Sequence, residues 1–553
     1  MMNFLKKQEP EKKEEENFRN ILDIRKFVTL IVIDGFGIHP DSEGNAVIAA
    51  QTPFLDAAWT YGRSTLLNAS GVYAGLPKDE PGNSEVGHLN LGAGQVIYQS
   101  LPRINDAIKR DEFYTNPVIQ EMISVIERRN TRLHLTGVLS PAGVHGHIKH
   151  LFSLLELCKS KNIDPFIHVM LDGRDTSPME GIHYVEELES KLSQLGIGKI
   201  ASIQGRFFGM DRDSRWERTK LAYDAMVGLS EETFTDPIDI VEKAYQNQED
   251  DQFFVPRVRV DNQGHPVGQV RSGDAVLFWN FREDRARQLT KAFVEKDFKH
   301  FNRRNYPQDI YFTTMTGYEE GLDAKVIFPP LPVRQSLSSY LSKSGKKQFH
   351  IAETEKFMHV TYFFNGGIEK PHEGEVFFNI PSPGVEDYVD IPEMRAYDIK
   401  DETVKRIREL SNIPYDFILL NFANPDMIGH TGDFKATVKA NQVVDKCVAE
   451  VARETLRAGG AVIITSDHGN CETMINRETK KIDIAHTNNP VPFTILTRLE
   501  EIESKVGART LKIGTGPKAK VSGLLADVAP TTLGLLGLEV PTNMTGIDLR
   551  PVV

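Results

Sequence analysis

The chain reads as an α/β protein: a mostly parallel sheet flanked by helices, into which a second α/β unit is inserted. Three observations point there. Apolar runs at 27–33, 417–422 and 461–465 have the continuous pattern of strands buried on both faces of a parallel sheet. Strand and helix patterns alternate along the sequence. The three runs come from opposite ends of the chain, yet each leads into residues of metal-ligand type, at the strand ends where parallel sheets gather their ligands.

Residues 1–26 are a charged extension rich in Glu and Lys, with no apolar stretch of the roughly 7–15 residues that a secretory signal needs. The strand at 27–33 ends in Asp34-Gly35. A helix is expected over 46–61, then a glycine-rich loop over 71–94 with its amides turned toward a ligand. Ser84 sits in that loop, placed to cap the helical turn 85–89. From about residue 100 the pattern changes to short strands at 132–138, 166–171, 199–203 and 275–279, with helices at 148–159 and 180–195. Pro329, Pro330 and Pro332 close this block as a linker. The expected division is therefore 27–100 with 331–553 as one domain and 101–330 as the inserted one, with hinges near 98–102 and 328–333.

Bulk properties narrow the function. A formal net charge of −12 opposes nucleic-acid or anionic-membrane partners, which need a basic surface. No run approaches about 20 apolar residues, so no membrane span is expected. Three scattered cysteines make neither a disulfide framework nor a thiolate site, which fits a reducing cytoplasm.

The chemistry lies at the strand ends. Asp426 and His430 are four apart and share one helical face. Asp467 and His468 are adjacent and point apart from an extended backbone, enough to serve two neighbouring ions. With Asp34 and His486 they make three carboxylates and three imidazoles, a donor set that suits Mn²⁺, with Mg²⁺, Zn²⁺ or Co²⁺ as substitutes. Ser84 is the candidate nucleophile. No Gly-x-Ser-x-Gly elbow surrounds it, so activation by metal in phosphoryl transfer fits better than an acyl-transfer triad. The middle block carries arginines after three strands: Arg174 beside Asp175, Arg206 with Arg212, and Arg282 with Arg285, Asn280 being placed to cap a helix. Forked donors at such positions hold carboxylates or phosphates. His145 and His147 follow another strand, and Lys356 alone reads as a solvated lysine.

These motifs together resemble one family. The matching segments are 32–37, 82–88, 143–147, 172–175, 205–213, 280–285, 352–359, 424–432, 466–470 and 486–492, in order over about 27–553. The sequence resembles cofactor-independent phosphoglycerate mutases of the alkaline phosphatase superfamily. The resemblance implies an alkaline-phosphatase-like domain with an inserted transferase domain, two Mn²⁺ ions, and a monomer acting on 3-phosphoglycerate and 2-phosphoglycerate. It implies that Asp426, His430 and His486 hold one ion, and that Asp34, Ser84, Asp467 and His468 hold the other. His145, Arg174, Asp175, Arg206, Arg212, Arg282, Arg285 and Lys356 would line the substrate site, with Asp175 as base. Gly146 stands where the family usually has serine. The alternatives are a phosphomonoesterase or sugar-phosphate mutase of the same superfamily, or an inactive anion-binding protein that should lack a ligand or the nucleophile.

Overall fold

The computed structural model describes residues 24–553, apart from 331, 332, 334, 386, 410–414, 477, 507 and 508. Most of the charged extension expected at 1–26, and Pro332 of the linker, lie outside the described residues. The chain divides into two compact units, one of Met1–Gln99 with Leu331–Val553 and one of Ser100–Pro330.

The first unit is built on an eight-stranded sheet. Its order is Glu375–Ile380, Gln348–Glu353, Phe417–Phe422, Val28–Ile33, Ala461–Thr465, Val491–Leu496, Arg63–Asn68 and Val521–Leu524. Neighbours run parallel except Val491–Leu496, which is antiparallel to both strands beside it. The three apolar runs of the sequence are thus adjacent central strands, and every residue of Val28–Ile33, Phe417–Phe422 and Ala461–Thr465 is buried. Alternate side chains feed two cores. Ile31, Ile33, Leu420 and Ile464 lie in one, while Leu30, Val32, Leu419 and Ile463 lie in the other. Burial of each such side chain contributes about 1.5–3 kcal/mol, so these strands form a stiff base for whatever their ends carry. Register places the ends level: Ile33 pairs with Phe422, and Val32 with Thr465.

The second unit has its own eight-stranded sheet, in the order Lys325–Phe328, Tyr311–Thr316, Ala275–Phe278, Leu133–Val138, Phe166–Leu171, Lys199–Gly205, Arg257–Arg259 and Thr233–Phe234. It too is parallel except where Arg257–Arg259 meets Lys199–Gly205. Leu135, Ile167 and Leu277 fill the core on one face; Val138, Met170, Val276 and Phe278 fill the other.

Three local expectations are corrected. The helix expected over 46–61 is two, Ala46–Ala49 and Pro53–Tyr61. Pro53 lacks an N–H and pushes Thr52 out of helical conformation, so the pattern breaks there. Much of the loop expected at 71–94 is the helix Ser84–Ala93, capped by Asn83 rather than Ser84: the Asn83 side chain accepts from the Val86 N–H. Asn280 caps no helix, since the next one begins at Arg287; its Oδ1 instead accepts from the Val138 N–H at 2.9 Å.

Candidate functional site

In the first unit the level strand ends bring the ligand-type residues together. Asp34 directly follows Val28–Ile33, and the two amides after it reach across to the next loop: Gly35 N–H donates to Asp467 Oδ1 at 3.3 Å and Phe36 N–H to Ser466 Oγ at 3.0 Å. Gly35 has φ +67°, and a Cβ there would lie 2.7 Å from Asp426 Cβ, so only glycine lets the two aspartate-bearing turns close up. Asp426 lies in the short helix Asn424–Gly429, which starts with Pro425 in its first turn, and His430 ends it. The four-residue spacing brings His430 Nε2 to 3.3 Å from Asp426 Oδ1.

His430 and His486 form an arrangement that calls for a cation. His430 Nδ1 donates to the Ile484 carbonyl and His486 Nδ1 to the Gly82 carbonyl, each at 2.9 Å. Both Nε2 lone pairs then face each other at 2.9 Å, with Asp426 Oδ1 3.4 Å from that of His486. Neighbouring them, His468 Nε2 lies 3.5 Å from Asp34 Oδ1 and 3.6 Å from Asp467 Oδ2. Asp467 Oδ2 is buried and makes no hydrogen bond, though His88 Nδ1 approaches to 3.2 Å. Two groups, Asp426 with His468 and His486, and Asp34 with Asp467 and His468, have ligand atoms close enough to share an ion. The donor set fits divalent cations, and His468 stands in both groups.

Ser84 opens its helix inside this cluster. Its Oγ lies 2.8 Å from His468 Nε2 and donates to Asp34 Oδ1 at 3.2 Å. Lys356 also belongs here, among the carboxylates, and far from the solvated position its charge suggests. Buried in the short helix Thr354–Met358 that follows the strand Gln348–Glu353, it places Nζ 2.7 Å from Asp34 Oδ1, 2.7 Å from Asp426 Oδ2 and 2.8 Å from Ser84 Oγ. Burial alone would raise the carboxylates and lower the ammonium; their attraction outweighs it, holding Asp34 and Asp426 well below the usual range and Lys356 above its own. Burial also works against a charged His468, but Asp467, Asp34 and Asp426 push it up to about 9.

Glu472 and His88 carry no local pattern that marks them as part of the site. Glu472 accepts from the Gly37 and Asn470 N–H groups at 3.1 and 2.9 Å and from Asn489 Nδ2 at 2.8 Å, tying together the loops that carry Asp34, Asp467 and His486. Asn421 did leave a signal, an amide inside an apolar strand.

In the second unit the arginines also sit at strand ends, and Arg206, Arg212 and Arg282 are paired with aspartates. Arg206, buried, donates to Asp172 and to Asp175 Oδ2, the latter at 2.7 Å. Arg212 donates to Asp284 Oδ2 at 2.7 Å, and Arg282 Nε lies 3.1 Å from Asp284 Oδ1. His145 stands between the two acids, 3.9 Å from Asp175 and 3.6 Å from Asp284. Burial, then the charge of Arg206, lowers His145 to about 4, so it is a neutral imidazole. Arg285 donates to the Met210 carbonyl at 3.2 Å, and burial with the charges of Arg206, Arg212 and Arg174 lowers its guanidinium. Like charges so crowded favour an anion. His147 stays outside this group and caps the helix Ile148–Ser160.

A serine among carboxylates and imidazoles at the carboxyl edge of a parallel sheet defines a class: metal-dependent enzymes that attack an electrophile with that hydroxyl. A family model described as the BPG-independent PGAM N-terminus matches residues 104–320. A 2,3-bisphosphoglycerate-independent phosphoglycerate mutase of Clostridium perfringens is 45% identical over 527 residues, 95% of this chain and 99% of that protein. One from Methanococcoides burtonii is 44% identical over 525 residues, 94% and 98%. Among solved structures, Leishmania mexicana phosphoglycerate mutase at low cobalt concentration matches with TM-score 0.57 and 32% identity, covering 95% of this chain and 97% of that one. The chain belongs to the 2,3-bisphosphoglycerate-independent phosphoglycerate mutase family.

Proposed function

We propose that the chain interconverts 3-phosphoglycerate and 2-phosphoglycerate through a phosphoserine on Ser84, with no bisphosphorylated primer. The observation that carries this is Ser84 Oγ placed at once against His468, Asp34 and Lys356. Asp426, His430 and His486 would hold one divalent ion; Asp34, Ser84, Asp467 and His468 would hold the other, Mn²⁺ fitting this oxygen and nitrogen set best. Bound there, the ions supply charge neutralisation for an in-line phosphoryl displacement.

The protein groups do the rest. Arg206, Arg212, Arg282 and Arg285, with Arg174 and His145, hold the carboxylate and hydroxyls of phosphoglycerate. Ser84 would lose its proton to solvent, Asp34 and His468 being taken up as ligands, and attack phosphorus, breaking the bond to the 3-oxygen, which takes a proton from water to leave glycerate. Lys356 donates to the developing negative charge. Glycerate turns while the arginines retain it, Asp175 takes the proton of the 2-hydroxyl, and that oxygen accepts the phosphoryl group from Ser84. Retention separates a mutase from a phosphatase, and the arginine set supports it. We further propose a monomer in the cytoplasm. The buried, free cysteines support a reducing compartment, and among the described residues no helix is long and apolar enough to cross a membrane.

The test is turnover of 3-phosphoglycerate with Mn²⁺ and no bisphosphoglycerate. Conversion to 2-phosphoglycerate is expected; a strict need for the primer would refute the proposal.

A further inference from the structure

His88 and Asn421 are both fully buried beside Ser84 and Asp34, and the proposed chemistry gives neither a part. Their hydrogen-bond directions can be read from chemistry alone. Asp34, held ionised by the adjacent Lys356 ammonium, only accepts, so the Asn421 Nδ2 at 2.7 Å from Asp34 Oδ2 is the donor, which fixes the amide orientation. The same Nδ2 lies 3.1 Å from His88 Nε2. An amide nitrogen has no lone pair to offer, so Nε2 accepts and the ring proton is on Nδ1. The other side of the ring agrees. Nδ1 is 2.9 Å from the carbonyl oxygen of Ser84, which can only accept, and 3.2 Å from Asp467 Oδ2. The preceding residue makes the approach feasible: a Cβ on Gly87 would lie 2.6 Å from the Asp467 carbonyl oxygen and 2.7 Å from its Cβ. Any side chain there would lift the helix Ser84–Ala93 off Asp467.

We infer that Asn421 and His88 are positioning residues that lock the nucleophile and a metal-ligating carboxylate into one directed chain, in which Asn421 donates to Asp34 and to His88, and His88 donates to the Ser84 carbonyl. The carboxylate face offered to the cation and the backbone that aims Ser84 Oγ are thereby set together. This rests on the reading of Ser84 as nucleophile beside a metal pair.

Three variants divide the chain. Asn421→Leu removes its centre. His88→Asn keeps a donor near the Nδ1 position but loses the acceptor for Asn421, and His88→Gln keeps the acceptor but loses the donor to Ser84. Asn421→Leu and His88→Asn are expected to weaken Mn²⁺ binding to the full chain about 10- to 100-fold by calorimetric titration, the usual loss for outer hydrogen-bond partners of a metal site. His88→Gln is expected to lower kcat with KM for 3-phosphoglycerate unchanged. Folded variants with wild-type Mn²⁺ affinity and wild-type kcat overturn the inference, while a wild-type chain that takes up no Mn²⁺ overturns the metal reading beneath it. Neutron diffraction from crystals of the unmutated protein tests the chain without any variant: deuterium on His88 Nδ1 supports it, and deuterium on Nε2 overturns it.

Discussion

The two units solve opposite electrostatic problems with the same fold element. In the first, three aspartates, three histidines and a serine converge at strand ends with a single lysine among them, and two imidazole lone pairs point at each other. In the second, five arginines, Arg174, Arg206, Arg212, Arg282 and Arg285, gather at strand ends against three aspartates, Asp172, Asp175 and Asp284, so positive charge is left over once the internal ion pairs are counted. A cluster short of positive charge takes up cations firmly. A cluster with surplus positive charge, some of it already paired with aspartates, attracts an anion and can exchange internal partners for it. On the proposed reading, the first unit would hold the cations and the second the exchanging anion.

Changes on the two sides should therefore fail differently. Ser84→Ala is expected to cut kcat by at least about 10⁴-fold, as removal of a nucleophile does, and to abolish phosphoserine in intact-mass spectra of quenched enzyme. Retention of a tenth of the activity would take Ser84 out of the role. Next in size, Arg206→Met leaves Asp172 and Asp175 facing each other without their shared cation. Breaking a buried pair in this way costs about 3–5 kcal/mol, read as a lower urea midpoint with Mn²⁺ uptake unchanged; an unchanged midpoint would mean that the pair contributes nothing.

Arg212 is more exposed and should act on substrate. Arg212→Ala is expected to raise KM for 3-phosphoglycerate about 10- to 100-fold, the worth of one charge-assisted hydrogen bond, and to leave metal affinity alone. A loss of Mn²⁺ binding in this variant would break the division between the two sites.

The most gradual effect is one of pH on the second unit. Burial, then Arg206, lowers His145 to about 4, and burial lowers His150 to about 3; His134 and His168 are lowered as well, chiefly by burial. Unfolded histidine titrates near ~6.5, so between there and about 4 the unfolded chain holds protons that the folded one excludes. The stability from these groups is present above that window and is lost as pH falls through it. Asp251, raised to about 6 by burial, acts the other way but is outnumbered. The protection factors of amides in the strand Leu133–Val138 should therefore fall on acidification, about tenfold per pH unit for each net proton taken up on opening. Protection that holds steady from pH 7 to 4 would contradict this.

The central strands and the aspartates at their ends were legible because continuous apolar runs and the residues that interrupt them are local signals. Asp426 with His430 was legible because helical spacing is local too. The antiparallel strand Val491–Leu496 was not, since its direction is decided by the partners on either side. Lys356 read as a surface residue because a lysine is buried only when charges brought from elsewhere in the chain surround it, and those charges are 70 residues away at the nearest. His88 and Glu472 were hidden for the same reason: their partners exist only once the loops have been brought together.

The most direct measurement is anomalous scattering at the manganese edge from crystals grown with Mn²⁺. Two peaks are predicted, one among Asp426, His430 and His486 and one among Asp34, Asp467, His468 and Ser84. A single peak, or peaks away from these residues, would contradict a paired-ion centre built around one serine.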